Sequence, residues 1–157
     1  MRLSDIVPQG AVIARLQGGD RDAVVRELVD ALVASGAADG QYREELVSRV
    51  LEREKRGSTG FGKGVAVPHV KHPSVKSMAA AVGLSGPGVD FASLDRQPVF
   101  TVFLLLSPEH QPEQHLQAMN VIFTNLSKET FRRFLRQAGS IEEVRSLLEE
   151  ADGAGGF

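Results

Sequence analysis

The chain has 157 residues, 42% apolar and 24% charged, with a formal net charge of −2. That length fits one domain around a single core, and the near-neutral charge argues against nucleic acid or an anionic membrane as partner. Cysteine is absent, which excludes disulfides, thiolate nucleophiles and cysteine zinc sites and suits a reducing, cytoplasmic setting.

The opening MRLSDIVPQG has no apolar stretch of the kind a secretory signal carries. After a short apolar patch at 11–16, Asp20 is placed to cap a helix whose stripe is Val24, Val25, Leu28, Val29 and Leu32. A second helix follows Asp39-Gly40, with Tyr42, Leu46, Val47, Val50 and Leu51 on one side, and runs out in the charged cluster 52–56. A glycine-rich loop covers 57–64. Residues 65–67 (VAV) then read as a short strand stopped by Pro68.

Further strands are expected at 78–84, 89–91 and 99–106, with turns at Gly86-Pro87-Gly88 and 95–98. The run VFTVFLLL at 99–106 is apolar on both alternating faces, which predicts a central strand buried on both sides. It falls far short of the ~20 residues of a membrane span, so no direct membrane insertion is expected. Pro112 suits the first turn of a helix carrying Leu116, Met119, Ile122, Phe123 and Leu126. A helix with Phe131, Phe134 and Leu135 follows. The last helix opens on the capping box 140–143 and buries Val144, Leu147 and Leu148. The order predicts an α/β fold, a mixed central sheet flanked by helices on both faces. Residues 1–150 form the expected single domain and 151–157 a flexible tail.

Two segments carry candidate chemistry. Gly57, Gly62 and Lys63 match a nucleotide-binding P-loop, but Gly64 stands where the motif needs a hydroxyl for Mg²⁺. A P-loop also needs a strand before it and a helix after it, so that helix amides meet the phosphates. Here a charged helix end precedes the loop and a strand follows, and we reject nucleotide binding. His69 is the stronger candidate, set after the strand and Pro68, behind the glycine-rich loop with its free amides and Lys63, and two residues before Lys71. The count 115, 119, 122, 126 places His115 on the apolar stripe of its helix, one turn from the start, as a partner imidazole or a core-edge histidine. No carboxylate is spaced as in H-E-x-x-H, and neither a metal nor another cofactor is expected.

The segment REKRGSTGFGKGVAVPHVK at 53–71 closely resembles the signature of enzyme IIA domains of the fructose/mannitol type. These belong to the phosphoenolpyruvate-dependent sugar phosphotransferase system and include the nitrogen-regulatory enzyme IIA. MRLSDIV, the stretch from Val89 through HLQAMNVI, and SIEEVRSLLEE are similar to other parts of these domains, in order, over nearly the whole chain. The resemblance implies His69 as phosphoryl acceptor, Arg53 as the cation beside it and His115 as a second active-site histidine. Thr59 and Lys71 are candidate phosphate ligands. It further implies phosphoryl delivery by an HPr-type phosphocarrier protein and, beyond that, an enzyme IIB or a regulated target.

This chain departs from the family at Val70, where glycine is common, and at His72-Pro73, which adds an imidazole near the site. A β-branched residue resists positive φ, so the backbone after His69 is expected to be shaped differently. The expected function is a cytoplasmic phosphocarrier, weighted towards regulation because no membrane or second carrier domain is seen in the sequence. A sugar-transport component and a non-phosphorylated interaction module on the same fold remain the alternatives.

Overall fold

The computed structural model describes residues 1–153 and 156–157. Its strands are β1 (Val12–Ile13), β2 (Gly60–Gly62), β3 (Val65–Ala66), β4 (His69–His72), β5 (Ala79–Val89) and β6 (Val99–Pro108). Its helices are α1 (Leu3–Ile6), α2 (Arg21–Ala34), α3 (Arg43–Arg56), α4 (Pro112–Leu126), α5 (Glu129–Gln137) and α6 (Ile141–Asp152), with a 3₁₀ turn at Gly40–Tyr42 before α3.

The central position of β6 follows from its sequence. Val102, Leu104 and Leu106 face one layer, formed by α2 and α3, while Phe103 and Leu105 face the other, formed by α1, α4, α5 and α6. A strand apolar on both faces must be covered on both, and the expected two-sided α/β sandwich is what forms. The sheet order is β1-β5-β6-β3-β2, with β4 also on β6. β5 runs antiparallel to β6, whereas β3 and β4 run parallel to it.

Three details differ from the sequence reading. β3 ends before Pro68 as expected, but a further strand, β4, follows directly: Val65 pairs with Thr101 and His69 with Leu105, the same register on either side. Proline has no N–H for the ladder, so the pairing is interrupted and then resumes with His69 as its first residue. Nor is Gly86-Pro87-Gly88 a turn between two strands. β5 continues to Val89 and absorbs these residues in a register shift between Leu84 and Val89. Finally, Leu116 is 61% exposed and Phe134 is 39% exposed, because the buried faces of α4 and α5 pass through Ala118, Ile122, Leu126, Phe131 and Leu135.

Asp20 caps α2 by accepting from the Ala23 amide, and Ser140 caps α6 by accepting from Glu143. The end of the chain is partly held. Ala151 and Asp152 complete α6, and the Asp152 carboxylate accepts from the Leu3 amide at 2.6 Å and from the Ser4 amide at 3.1 Å. Phe157 lies against the rings of Phe131 and Phe134, and 154–155 of the expected tail lie outside the described residues. Asp152→Ala leaves two amides at the start of α1 without their acceptor. It is expected to lower unfolding stability by about 1–3 kcal/mol, read as a shifted denaturant midpoint at unchanged m-value.

Candidate functional site: a two-histidine cleft

The cleft forms where three elements end or begin together. Arg49, Arg53 and Arg56 lie at i, i+4 and i+7 on α3, so they share one helical face and line the cleft with Glu52. β4 supplies His69, Val70 and Lys71, and the first turn of α4 supplies His115. The cleft is open and holds about 400 Å³. Its four cationic side chains face a single carboxylate, so it favours an anionic group.

The imidazoles of His69 and His115 meet at 5.7 Å between ring centroids. His69 Nδ1 lies 2.8 Å from the Val67 carbonyl. A carbonyl only accepts, so Nδ1 carries the proton and donates, and Nε2 keeps its lone pair. Pro68 fits this arrangement: as a rigid residue without an amide, it carries the chain from the acceptor at Val67 to the ring at His69. Burial holds His69 below the usual histidine range, with further lowering by the Arg53 and Lys71 charges, against the Val67 bond and Glu54. His115 is lowered to about 4, first by burial, then by His69 and Lys71.

Both rings are therefore neutral at pH 7. A histidine with a lowered native pKa binds fewer protons than its unfolded counterpart between the two values, so the stability it supports is complete above about pH 6.5. It declines as pH falls towards the native value. Titration followed by ¹H–¹⁵N NMR should show both histidines changing charge below pH 6.5, with His115 midway near pH 4. Titration of either at 6.5 or above contradicts this environment.

Arg53, His69, His115 and Lys71, singled out from sequence, all reach the cleft. Arg53 also donates from Nη1 to the Gly57 carbonyl at 2.7 Å, which steadies it at the end of α3. Thr59 stands apart from them. It is buried, and both its hydroxyl and its amide donate to the Glu54 carboxylate, itself 2% exposed. Glu54 belongs to the charged cluster in which the helix was expected to run out. It instead continues the buried stripe from Val47, Val50 and Leu51 and pins the loop to the helix.

Lys63 also lies elsewhere. The glycine-rich segment is a β2–β3 hairpin, with positive φ at Gly62, Lys63 and Gly64. The Lys63 amide donates to Asp95, and the residue lines a separate cleft with Arg132, Arg133 and Arg136. No helix follows the loop to receive a nucleotide phosphate.

The two departures at 70 and 72 resolve simply. Val70 is not among the positive-φ residues and pairs in register with Leu106, so the strand continues through it. His72 faces away from the cleft by strand alternation. It is 1% exposed, packs on Tyr42, and its Nδ1 accepts from the Ser74 amide at 3.0 Å. Its Nε2 lies 3.3 Å from a Glu45 oxygen, close enough for attraction but not in line for a hydrogen bond. The expected extra imidazole at the site is thus a core residue.

Sequence reasoning missed Arg49, Glu52 and Arg56, although their helical spacing with Arg53 was available. It also missed Ser107, buried at the end of β6, whose Oγ lies 2.6 Å from His115 Nδ1.

Fold and cleft together define an α/β sandwich of the enzyme IIA class. A family model described as "Phosphoenolpyruvate-dependent sugar phosphotransferase system, EIIA 2" matches residues 5–151, and the chain belongs to that family. It is similar to the PTS system fructose-specific EIIABC component of Bacillus subtilis, 31% identical over 97% of this chain and 24% of that protein. The chain thus spans about a quarter of that relative. It is similar to the nitrogen regulatory protein of Pseudomonas aeruginosa, 32% identical over 94% of this chain and 95% of the relative. Among solved structures, the nitrogen regulatory protein IIA-Ntr from Neisseria meningitidis superposes with a TM-score of 0.82 at 30% identity, covering 92% of this chain and 97% of that one.

Proposed function

We propose that this chain is a phosphoryl carrier in which His69 Nε2 accepts a phosphoryl group and then passes it on or signals by holding it. One observation supports this most: the Val67 carbonyl holds the Nδ1 proton, leaving the Nε2 lone pair beside a cleft ringed by cations. The donor would be a phosphorylated HPr-type protein. In the transfer, the donor's P–N bond breaks and its nitrogen keeps the electron pair while the Nε2–P bond forms. His69 retains its Nδ1 proton throughout, so no proton need leave the ring.

Phosphoryl transfer asks a protein chiefly for positioning and for charge on the equatorial oxygens. Arg53 and Lys71 supply positive charge, and His115 lines the same cleft with its ring 5.7 Å from that of His69. The bound group adds nearly two negative charges, enough to change which protein surface docks here. The onward partner is an enzyme IIB, as the composite fructose relative suggests, or a regulated protein, as the nitrogen regulatory relatives suggest. We favour the regulatory role, in the cytoplasm. No helix among the described residues is long and apolar enough to cross a membrane.

The test is incubation with phosphoenolpyruvate and the general carrier proteins, followed by intact mass and peptide mapping. One phosphoryl group on His69 is expected. A mass that never increases makes the chain an interaction module on this fold. Onward transfer to purified IIB domains distinguishes transport from regulation.

A further inference from the structure

We infer that Ser107 is a positioning residue that sets the proton of His115, making its Nε2–H a hydrogen-bond donor to the phosphoryl group on His69. This rests on the carrier reading above. Ser107 is fully buried at the end of β6, where its backbone lies opposite Lys71 in the β4–β6 register. Among the described residues its hydroxyl makes one hydrogen bond, with His115 Nδ1 at 2.6 Å.

Two arrangements satisfy that distance, and they are not equivalent. If Nδ1 carries the proton, it donates to Oγ, and the buried hydroxyl proton is left with no acceptor. If the hydroxyl donates to Nδ1, both groups are satisfied and the ring proton resides on Nε2. The second arrangement is preferred because an unmade bond by a buried donor is costly. The lowered pKa of His115 keeps the ring neutral, so the choice of tautomer matters.

The two histidines are then opposites. A carbonyl makes His69 a proton holder at Nδ1 with a free lone pair at Nε2. A hydroxyl makes His115 an acceptor at Nδ1 with a proton at Nε2. One ring is prepared to attack phosphorus, the other to donate to its oxygens. In the reverse tautomer His115 would turn a lone pair towards phosphoryl oxygens and repel them.

Ser107→Ala removes the hydroxyl with little change of volume, and Ser107→Thr retains it. The tautomers are read from ¹⁵N shifts and long-range ¹H–¹⁵N couplings of the unphosphorylated protein at pH 7.5, and the rate of phosphoryl uptake is measured alongside. We expect Nε2–H at His115 in the parent protein and in Ser107→Thr, and a shift towards Nδ1–H in Ser107→Ala. The His69 pattern should not change. Uptake should slow by about tenfold or more in Ser107→Ala, as when outer partners of metal-bound histidines are lost, and recover in Ser107→Thr.

An Nδ1–H tautomer at His115 in the parent protein overturns the inference. So does an unchanged His115 tautomer or an unchanged uptake rate in Ser107→Ala. A parent protein that accepts no phosphoryl group overturns the carrier reading itself, which the tautomer spectra, taken without phosphate, do not depend on.

Discussion

His69→Ala is expected to abolish phosphoryl uptake, with no detectable gain in intact mass under conditions that fully modify the parent protein. The effect should be all-or-none because the substitution deletes the accepting nitrogen. The other three histidines do not share its setting: His110 is exposed before α4 and is not among the residues lining the cleft. His115 presents a proton from Nε2 and has Nδ1 engaged by Ser107, while His72 is buried on the other face of β4. His69 is only partly buried and lies on a strand whose backbone pairing with Leu105 does not depend on the side chain. The variant should therefore keep the far-ultraviolet spectrum and cooperative unfolding of the parent. Full uptake by the folded variant would place the phosphate elsewhere and refute the assignment.

Leu105→Ala should destabilise the protein more than Asp152→Ala or Ser107→Ala. Leu105 is fully buried on β6, pairs with His69, and belongs to the layer containing Val67, Ile122 and Leu126. Truncating a leucine in such a place costs about 2–5 kcal/mol, the transfer term plus the cavity left behind. Against a total of roughly 5–15 kcal/mol for a domain, that is a major fraction. For a chain of this size it lowers the melting temperature by roughly 4–20 °C. Phosphoryl uptake at low temperature should weaken less than stability does, because the His69–Val67 bond and the α3 arginines lie outside the cavity. A loss below about 2 kcal/mol, the floor for a well-packed core leucine, would mean that β6 is not the centre of the core.

These two expectations draw on different kinds of legibility. The buried centre at 99–106 was readable because an apolar strand without polar alternation has no face to give to water. His69 was readable because proline, histidine and the preceding loop form a continuous segment resembling that of a known family. Arg53 and His115 followed from the same resemblance, and the helical spacing of Arg49, Arg53 and Arg56 could have extended it. The reading was poorest where a residue's neighbour is distant in sequence. Glu54 was read only as one member of a charged helix end, yet it is buried and bonded to Thr59. Thr59 and Lys63 belonged to a phosphate-like motif, but a hairpin turns Lys63 towards Asp95 and another cleft.

What the sequence by itself determined was the alternation of apolar residues that sets the layers, the caps at Asp20 and Ser140, and the presence of one segment built around Pro68-His69. Those are local properties, decided by period, cap chemistry and the missing amide of proline. Tertiary structure alone brought the two histidines together and set Ser107 beside one of them. The β3–β4 line resumes after Pro68 in unbroken register with β6, carrying His69 to its place opposite Leu105, while Ser107, two residues further along β6, meets His115 from α4. Local chemistry supplies His69 with its carbonyl, two residues away, but the distances from Ser107 to His115 and from His115 to His69 exist only once strand and helix pack. The inferred proton at His115 Nε2 is thus an outcome of packing, whereas the lone pair at His69 Nε2 follows from a carbonyl two residues away, since each depends on which fixed donor or acceptor stands beside the ring.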